Sequence, residues 1–329
     1  MERLNAQFWK KRKVFVTGAT GIVGSWLVKD LLRLKAKVTA LIYEVDSSSE
    51  LYRSQDIRRI KALRGRLEDY PKLKKIIADN KIDTVFHLGA QAIVKTAYHS
   101  PLPTFEANIR GTYNLLEACR SRKNQVKHIV IASSDKAYGE QPHLPYKEGM
   151  PLIGRFPYEV SKSCCDLLAQ SYFHSYGLPV AIVRCGNIYG GGDLNWNRIV
   201  PGTIRSFFQN KPLVIRSDGT YIRDYVYVKD VSYAYMLTAE GLKNRKIHGE
   251  AFNISGESPF SVLQLVARIQ KLMNCQGIKP KILNTAKGEI RSQYLSSHKI
   301  QKTLKWKPRF TLDQGLKETI DWYDTFFTK

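Results

Sequence analysis

Two short stretches hold the side chains most able to do chemistry: Ser133-Ser134-Asp135-Lys136, and Tyr158 followed four residues later by Lys162. An interval of four places the phenol and the amine on one face of a helix. A free tyrosine has a pKa of about 10, so a neighbouring ammonium that favours the phenolate makes Tyr158 a usable base near neutrality. The pair suits removal of a hydroxyl proton while hydride leaves the same carbon for a nicotinamide, and Ser134 can hold that oxygen. Asp135 adds a carboxyl able to protonate a departing hydroxyl, provided its surroundings favour the neutral form. Lys136 can serve as a base, which requires the neutral amine, or as the electrostatic partner of an enolate. In the blander alternative Asp135 caps a turn and Lys136 faces solvent, leaving Tyr158 and Lys162 to oxidise a carbon and re-reduce it from the other face. An acid and a base directly after the serines are unnecessary for that reaction, so the elimination ranks first.

These groups need a sheet to aim them. Val126 to Ala132 reads as a buried strand ending in the serines, and ligands of open parallel sheets sit beyond the carboxyl ends of the strands. Lys13 to Thr17 reads as a strand, and Gly18-Ala19-Thr20-Gly21-Ile22-Val23-Gly24 opens a helix with Leu27, Val28, Leu31 and Leu32 at helical spacing. Strand, glycine turn and helix N-terminus form a pyrophosphate cradle, with Gly18, Thr20, Gly21, Ile22 and Val23 against the cofactor. Lys37 to Ile42 is a second strand. The acids after it, Glu44 and Asp46, favour the free ribose hydroxyl of NAD over the phosphate of NADP. Residues 47–59 read as a polar excursion and Leu63 to Asp69 as the end of a third strand, which brings Leu67 towards the adenine. Asp83 to Gln91 runs into small residues, so Leu88, Gly89 and Ala90 let a flat ring lie against the backbone, while His87 reads as structural. The next helix carries Asn108, weighed equally as a ligand and as a core hydrogen-bonding device.

Leu178 to Arg184 is a further buried strand. Beyond it the strand and helix alternation loosens, which divides the chain into a dinucleotide-binding domain, residues 1–185, and a nucleotide-sugar-binding lobe, residues 186–329, with Ala251 to Ile254 a strand that can return to the first. The fold class is α/β, a Rossmann doubly wound parallel sheet with a smaller mixed α/β lobe. Arg198, Arg216, Arg223 and Arg291 bring to that second lobe cations suited to phosphate.

A chain of 329 residues with 43% apolar content can bury a large core. No apolar run approaches the ~20 residues that cross a bilayer, and the basic start lacks a secretion signal's apolar centre, so a cytoplasmic location without a membrane partner is expected. Five cysteines lack metal-ligand spacing and read as free thiols without a metal. The net charge of +23 suits a phosphate-bearing substrate. Its lysines and arginines are spread along the chain rather than gathered in a tail, which sets a non-catalytic nucleic-acid-binding protein far behind an enzyme.

Thr17-Gly18-x-x-Gly21-x-x-Gly24, Tyr158-x-x-x-Lys162, Arg184-x-Gly186-Asn187 and Arg223-Asp224-Tyr225-Val226-x-Val228-x-Asp230 together resemble the extended short-chain dehydrogenase/reductase superfamily over essentially the full length. Ser133-Ser134-Asp135-Lys136 and Gly186-Asn187-x-x-Gly190-Gly191-Gly192-Asp193 resemble its nucleotide-sugar 4,6-dehydratases, particularly the CDP-glucose 4,6-dehydratase group. That resemblance implies NAD as cofactor, a nucleotide-hexose held with the help of Asn187, and conversion to a 4-keto-6-deoxyhexose. It also implies a homodimer through the helices carrying Asn108 and Tyr158, and a 4-epimerase as the alternative activity. Arg66 departs from it, standing where the superfamily commonly has an acid near the adenine.

Overall fold

Runs of β-branched and aromatic residues such as Val14-Phe15-Val16 suit strands buried on both faces. The computed structural model describes residues 4–256, 259–285 and 290–328. The chain opens with a short helix, α1 (Ala6–Trp9), then runs β1 (Lys13–Thr17), α2 (Ile22–Arg33), β2 (Lys37–Ile42), α3 (Glu50–Arg53), β3 (Lys61–Arg64), α4 (Tyr70–Asp79) and β4 (Thr84–His87). Helices α5 (Val94–His99), α6 (Pro101–Phe105) and α7 (Gly111–Arg120) lead to β5 (His128–Ala132), followed by α8 (Pro157–Tyr176) and β6 (Val180–Cys185). The remainder comprises β7 (Asn187–Tyr189), α9 (Ile199–Phe208), β8 (Val214–Ile215), β9 (Ile222–Tyr227), α10 (Val228–Gly241), β10 (Ala251–Ile254), β11 (Pro259–Ser261), α11 (Val262–Leu272), β12 (Lys281–Ile282), β13 (Ser292–Gln293), α12 (His298–Leu304) and α13 (Leu312–Thr328).

The main sheet has the order β10-β6-β5-β4-β1-β2-β3, and every neighbouring pair is parallel. The order reverses between β1 and β4, which opens a crevice at their carboxyl ends. One face of the sheet is covered by Leu27 and Leu31 of α2 with Val231 and Ala234 of α10, and the other by Leu73 and Ile77 of α4 with Leu115 and Leu116 of α7. All eight are fully buried. A Leu→Ala change at such a position costs about 2–5 kcal/mol. A second core gathers Ile204, Phe207, Tyr227, Leu265 and Tyr323 beneath the small sheet in which β9 pairs with β7, β11 and β13.

The chain beyond residue 186 is not confined to that second lobe. Strand β10 pairs with β6, and α10 packs on α2 and against β5 and β6. The helix expected after β4 is broken into pieces. Pro101 and Pro103 interrupt it, and a π-turn over Glu106–Arg110 precedes α7. Residues 47–59, read as an excursion, contain α3 and a 3₁₀ turn over Asp56–Arg59. Glu50 fastens α3 by accepting from Lys29 and from Trp322 Nε1 at 2.7 Å. Among the described residues no helix is long and apolar enough to cross a membrane, and no three His, Cys, Asp or Glu side chains could hold a metal.

His87, 3% exposed, ties the layers together, with Nδ1 2.8 Å from Thr17 Oγ1 of β1 and Nε2 3.0 Å from Thr112 Oγ1 of α7. Burial, reinforced by the Lys162 cation, pushes its pKa from 6.5 down to about 3. The unfolded chain therefore binds a proton the folded chain refuses between those values, and stability is lost as pH falls through that window. At pH 5 the loss relative to pH 7 is about 2 kcal/mol. Urea melts at both pH values should show His87→Gln less sensitive to acid by that amount.

Candidate active site

Strand β5 ends at Ala132, and the hydroxyls that follow leave the ladder to start a 3₁₀ turn over Asp135–Tyr138. Ser134 caps the turn by accepting from the Lys136 backbone N–H at 3.2 Å, and its hydroxyl donates to Asp135 Oδ1 at 2.9 Å. Gly139 closes the turn at φ +62°, where a Cβ would lie 2.7 Å from the Ile153 carbonyl oxygen. Asp135 is 3% exposed, and its second oxygen, Oδ2, is buried with no hydrogen-bond partner among the described residues. A buried orphaned carboxylate oxygen is costly, and such atoms in native structures demand a functional reason or a missing partner. Lys136 Nζ donates to Gln293 Oε1.

Helix α8 delivers the second pair. Pro157 begins it, Glu159 Oε2 accepts from the N–H groups of Arg155 (2.9 Å) and Phe156 (3.3 Å), and Gly177 ends it at φ +61°. Tyr158 lies half-buried on its first turn, one turn before Lys162, which is 5% exposed. Lys162 Nζ donates to the Ala132 carbonyl at 3.0 Å, so the ammonium is anchored where β5 gives way to the serines. Asn108 settles as the core device. Its Oδ1 accepts from Gln91 N (2.8 Å), and its Nδ2 donates to Gln91 O (3.1 Å) and to Ser161 Oγ (2.9 Å). Ser161 in turn donates to the Tyr158 carbonyl at 2.7 Å, so the end of β4 and the first turn of α8 are locked together.

At the glycine turn Gly18 has φ +74°, and a Cβ there would lie 2.6 Å from Gly89 N. At Gly24 a Cβ would lie 2.0 Å from Gly18 O, so α2 can approach the turn only through glycine. Gly21 differs, since its Cβ would meet nothing nearer than Gly18 O at 3.4 Å. No side chain caps α2, and Thr20, Ile22 and Val23 beside this opening are only partly buried. Leu88, Gly89 and Ala90 are likewise partly exposed beyond β4, and Leu67 packs on Gly89 and Gly111. Of the two acids after β2, Asp46 caps its own turn by accepting from Ser48 N at 3.0 Å, while Glu44 is exposed. Arg66 stacks on the Tyr43 ring at 4.7 Å and donates to its hydroxyl at 2.5 Å.

The five residues expected at the sugar nucleotide are only partly gathered. Arg223 donates to the Arg291 carbonyl at 3.1 Å, which joins β9 to the segment entering β13, and Arg291 and Arg216 are exposed. Asn187 Nδ2 donates to Asp224 O at 3.3 Å. Arg198, at the start of α9, pairs with Asp193 at 3.2 Å. Asp224 is fully buried, accepting from Gly256 N (3.0 Å) and Leu295 N (3.3 Å), and burial raises its pKa to about 6. Gln293, Ser161 and Gln91 are contributors that the sequence reading assigned no role.

Proteins of known activity are similar to this chain over nearly its full length. The CDP-glucose 4,6-dehydratase of Salmonella typhimurium is 30% identical over 97% of this chain and 92% of its own. A Bacillus anthracis dTDP-glucose 4,6-dehydratase solved with NAD shares 25% identity at a TM-score of 0.85, covering 95% of this chain and 97% of that one. A Bacillus cereus UDP-glucuronic acid 4-epimerase, solved with UDP-glucuronic acid and NAD, shares 27% identity at the same TM-score, covering 95% and 99%. The model of the GDP-mannose 4,6 dehydratase family matches residues 15–319. That match takes in the glycine turn, the Asp135 loop and Tyr158 with Lys162, and the chain belongs to the GDP-mannose 4,6 dehydratase family.

Proposed function

We propose that the protein is an NAD-dependent nucleotide-sugar 4,6-dehydratase, with CDP-glucose the favoured substrate. The observation that carries this reading is Asp135, a buried carboxyl with one oxygen held by Ser134 and the other without a hydrogen-bond partner among the described residues, beside Lys136. Epimerisation at C4 asks only for Ser134, Tyr158 and Lys162. The S. typhimurium relative supports the choice of cytidine nucleotide.

The glycine turn fits a dinucleotide. Gly21 is glycine where the protein's own packing does not demand it, which is the signature of a cradle kept open for a ligand that approaches the backbone. The uncapped start of α2 offers N–H groups to a pyrophosphate, and an exposed Glu44 after β2 supports a contact with a ribose hydroxyl. NAD, when bound, supplies a hydride acceptor for the sugar and later returns that hydride to it. Gly21→Ala should leave thermal stability within about 1 kcal/mol of wild type while weakening NAD binding about tenfold, or about 1.4 kcal/mol. Gly24→Ala should destabilise the apoprotein by about 1–3 kcal/mol through the clash with Gly18 O. Thermal melts with and without NAD separate the two.

Tyr158 takes the proton of the C4 hydroxyl, beside the Lys162 ammonium one turn on, and Ser134 holds the oxygen. The C4 ketone acidifies the C5 proton. Lys136, as the amine, takes that proton; the C5–H electron pair forms the C5=C6 double bond; the C6–O bond breaks, and Asp135 gives its proton to the departing hydroxyl, which leaves as water. When hydride returns to C6, the Lys136 ammonium returns the proton to C5. Incubation with CDP-, GDP-, UDP- and dTDP-hexoses tests the reading: one should yield a product lighter by one water with no net reduced nicotinamide. Isomerised sugar alone would move the assignment to a 4-epimerase.

A further inference from the structure

Gln293 lies on β13 in the second lobe, 157 residues from Lys136, yet it is fully buried against the loop that carries the acid and the base. Its Oε1 accepts from Lys136 Nζ, and its Nε2 donates to the Asp135 carbonyl oxygen at 3.4 Å. Its neighbour Tyr294 contributes backbone only, accepting from Tyr146 N at 2.9 Å, and the Tyr146 hydroxyl donates to the Gly139 carbonyl at 2.7 Å. One end of the 3₁₀ turn is thus held from the second lobe, and the other by Tyr146, whose backbone bonds to Tyr294 beside Gln293.

We propose that Gln293 is the positioning residue of the elimination step, fixing the Lys136 nitrogen over C5. The inference rests on the dehydratase reading above. A lysine stem has four rotatable bonds, and a base on it must present its lone pair along one C–H bond. Anchoring one N–H to a fixed acceptor removes most of that freedom. The acceptor is an uncharged amide, which can receive a hydrogen bond from amine and ammonium alike. A carboxylate in its place would favour the ammonium and disable the base.

The test is a double-mutant cycle in the full-length enzyme, read separately on C4 oxidation and on loss of water in single turnovers with the nucleotide-hexose that wild type dehydrates. Gln293→Met, of similar length but without the amide, should slow water loss 10- to 100-fold and leave C4 oxidation and substrate Kd within threefold of wild type. On a Lys136→Met background the same change should cost less than threefold further, because Gln293 acts through Lys136. Gln293→Asn, too short to reach, should reproduce the Met variant and stands in for it if the latter fails to fold. Multiplying losses in the double variant, or equal slowing of oxidation and water loss, would overturn the assignment. Wild type that dehydrates alongside an additive cycle removes only the role of Gln293, whereas wild type that merely isomerises its sugar removes the dehydratase reading and this inference with it.

Discussion

Asp135→Asn should uncouple the two halves of the reaction, with water loss falling about 10²- to 10⁴-fold, the range for a positioned general acid, and C4 oxidation falling far less. Asn occupies the same volume and can still meet the Ser134 hydroxyl, which Asp135 Oδ1 now accepts at 2.9 Å. What it lacks is a transferable proton. The oxidation groups stand on other anchors: Lys162 is held by the Ala132 carbonyl, and Tyr158 by α8 through Ser161. Rapid mixing with substrate should therefore show reduced nicotinamide accumulating by absorbance while mass spectrometry finds the dehydrated sugar delayed. Equal loss of both signals would show that Asp135 supports the site as a whole and is not its acid.

Asp166→Asn should produce the largest loss of stability of any single polar substitution in the first lobe, about 3–5 kcal/mol. Asp166 is fully buried on α8 and holds Arg184 of β6 in a two-pronged contact, Nε to Oδ2 at 2.7 Å and Nη2 to Oδ1 at 2.9 Å. Arg184 also donates to the Tyr138 hydroxyl at 2.7 Å and the Glu148 carbonyl at 3.1 Å. Removing the carboxylate leaves a guanidinium 2% exposed without its counter-ion, at the joint between the helix bearing Tyr158 and the turn bearing Asp135. Urea melts should show the loss, and Tm should fall by roughly 10 °C. A change below about 1 kcal/mol would mean that solvent enters and screens the pair.

Much of the frame was legible in the residues because the signals are local. Strand and glycine turn adjoin in sequence, so Gly18, Gly21 and Gly24 announce their arrangement, and a spacing of four puts Tyr158 over Lys162 on α8. Ser134 and Asp135 meet because they are neighbours. What local pattern could not carry is pairing at long range. Gln293 reaches Lys136 only because β13 joins the small sheet beside β9, where Gln293 is buried although Arg291, just before the strand, is exposed. Of the two acids after β2, the local pattern does not show that Asp46 spends its carboxyl on its own turn. Arg198 reads as a phosphate ligand by type, and the sequence does not show that a carboxylate five residues earlier also holds it. The excursion at 47–59 gains its helix from Lys29 and Trp322, neither of which its own composition reveals.

The fate of the C4 hydrogen tests the central claim most directly. With the nucleotide-hexose deuterated at C4 and the wild-type enzyme in ordinary water, the account predicts that NMR finds the deuterium on the C6 methyl of a 4-keto product. Deuterium still at C4 of an isomerised sugar, or washed out into solvent, would contradict it.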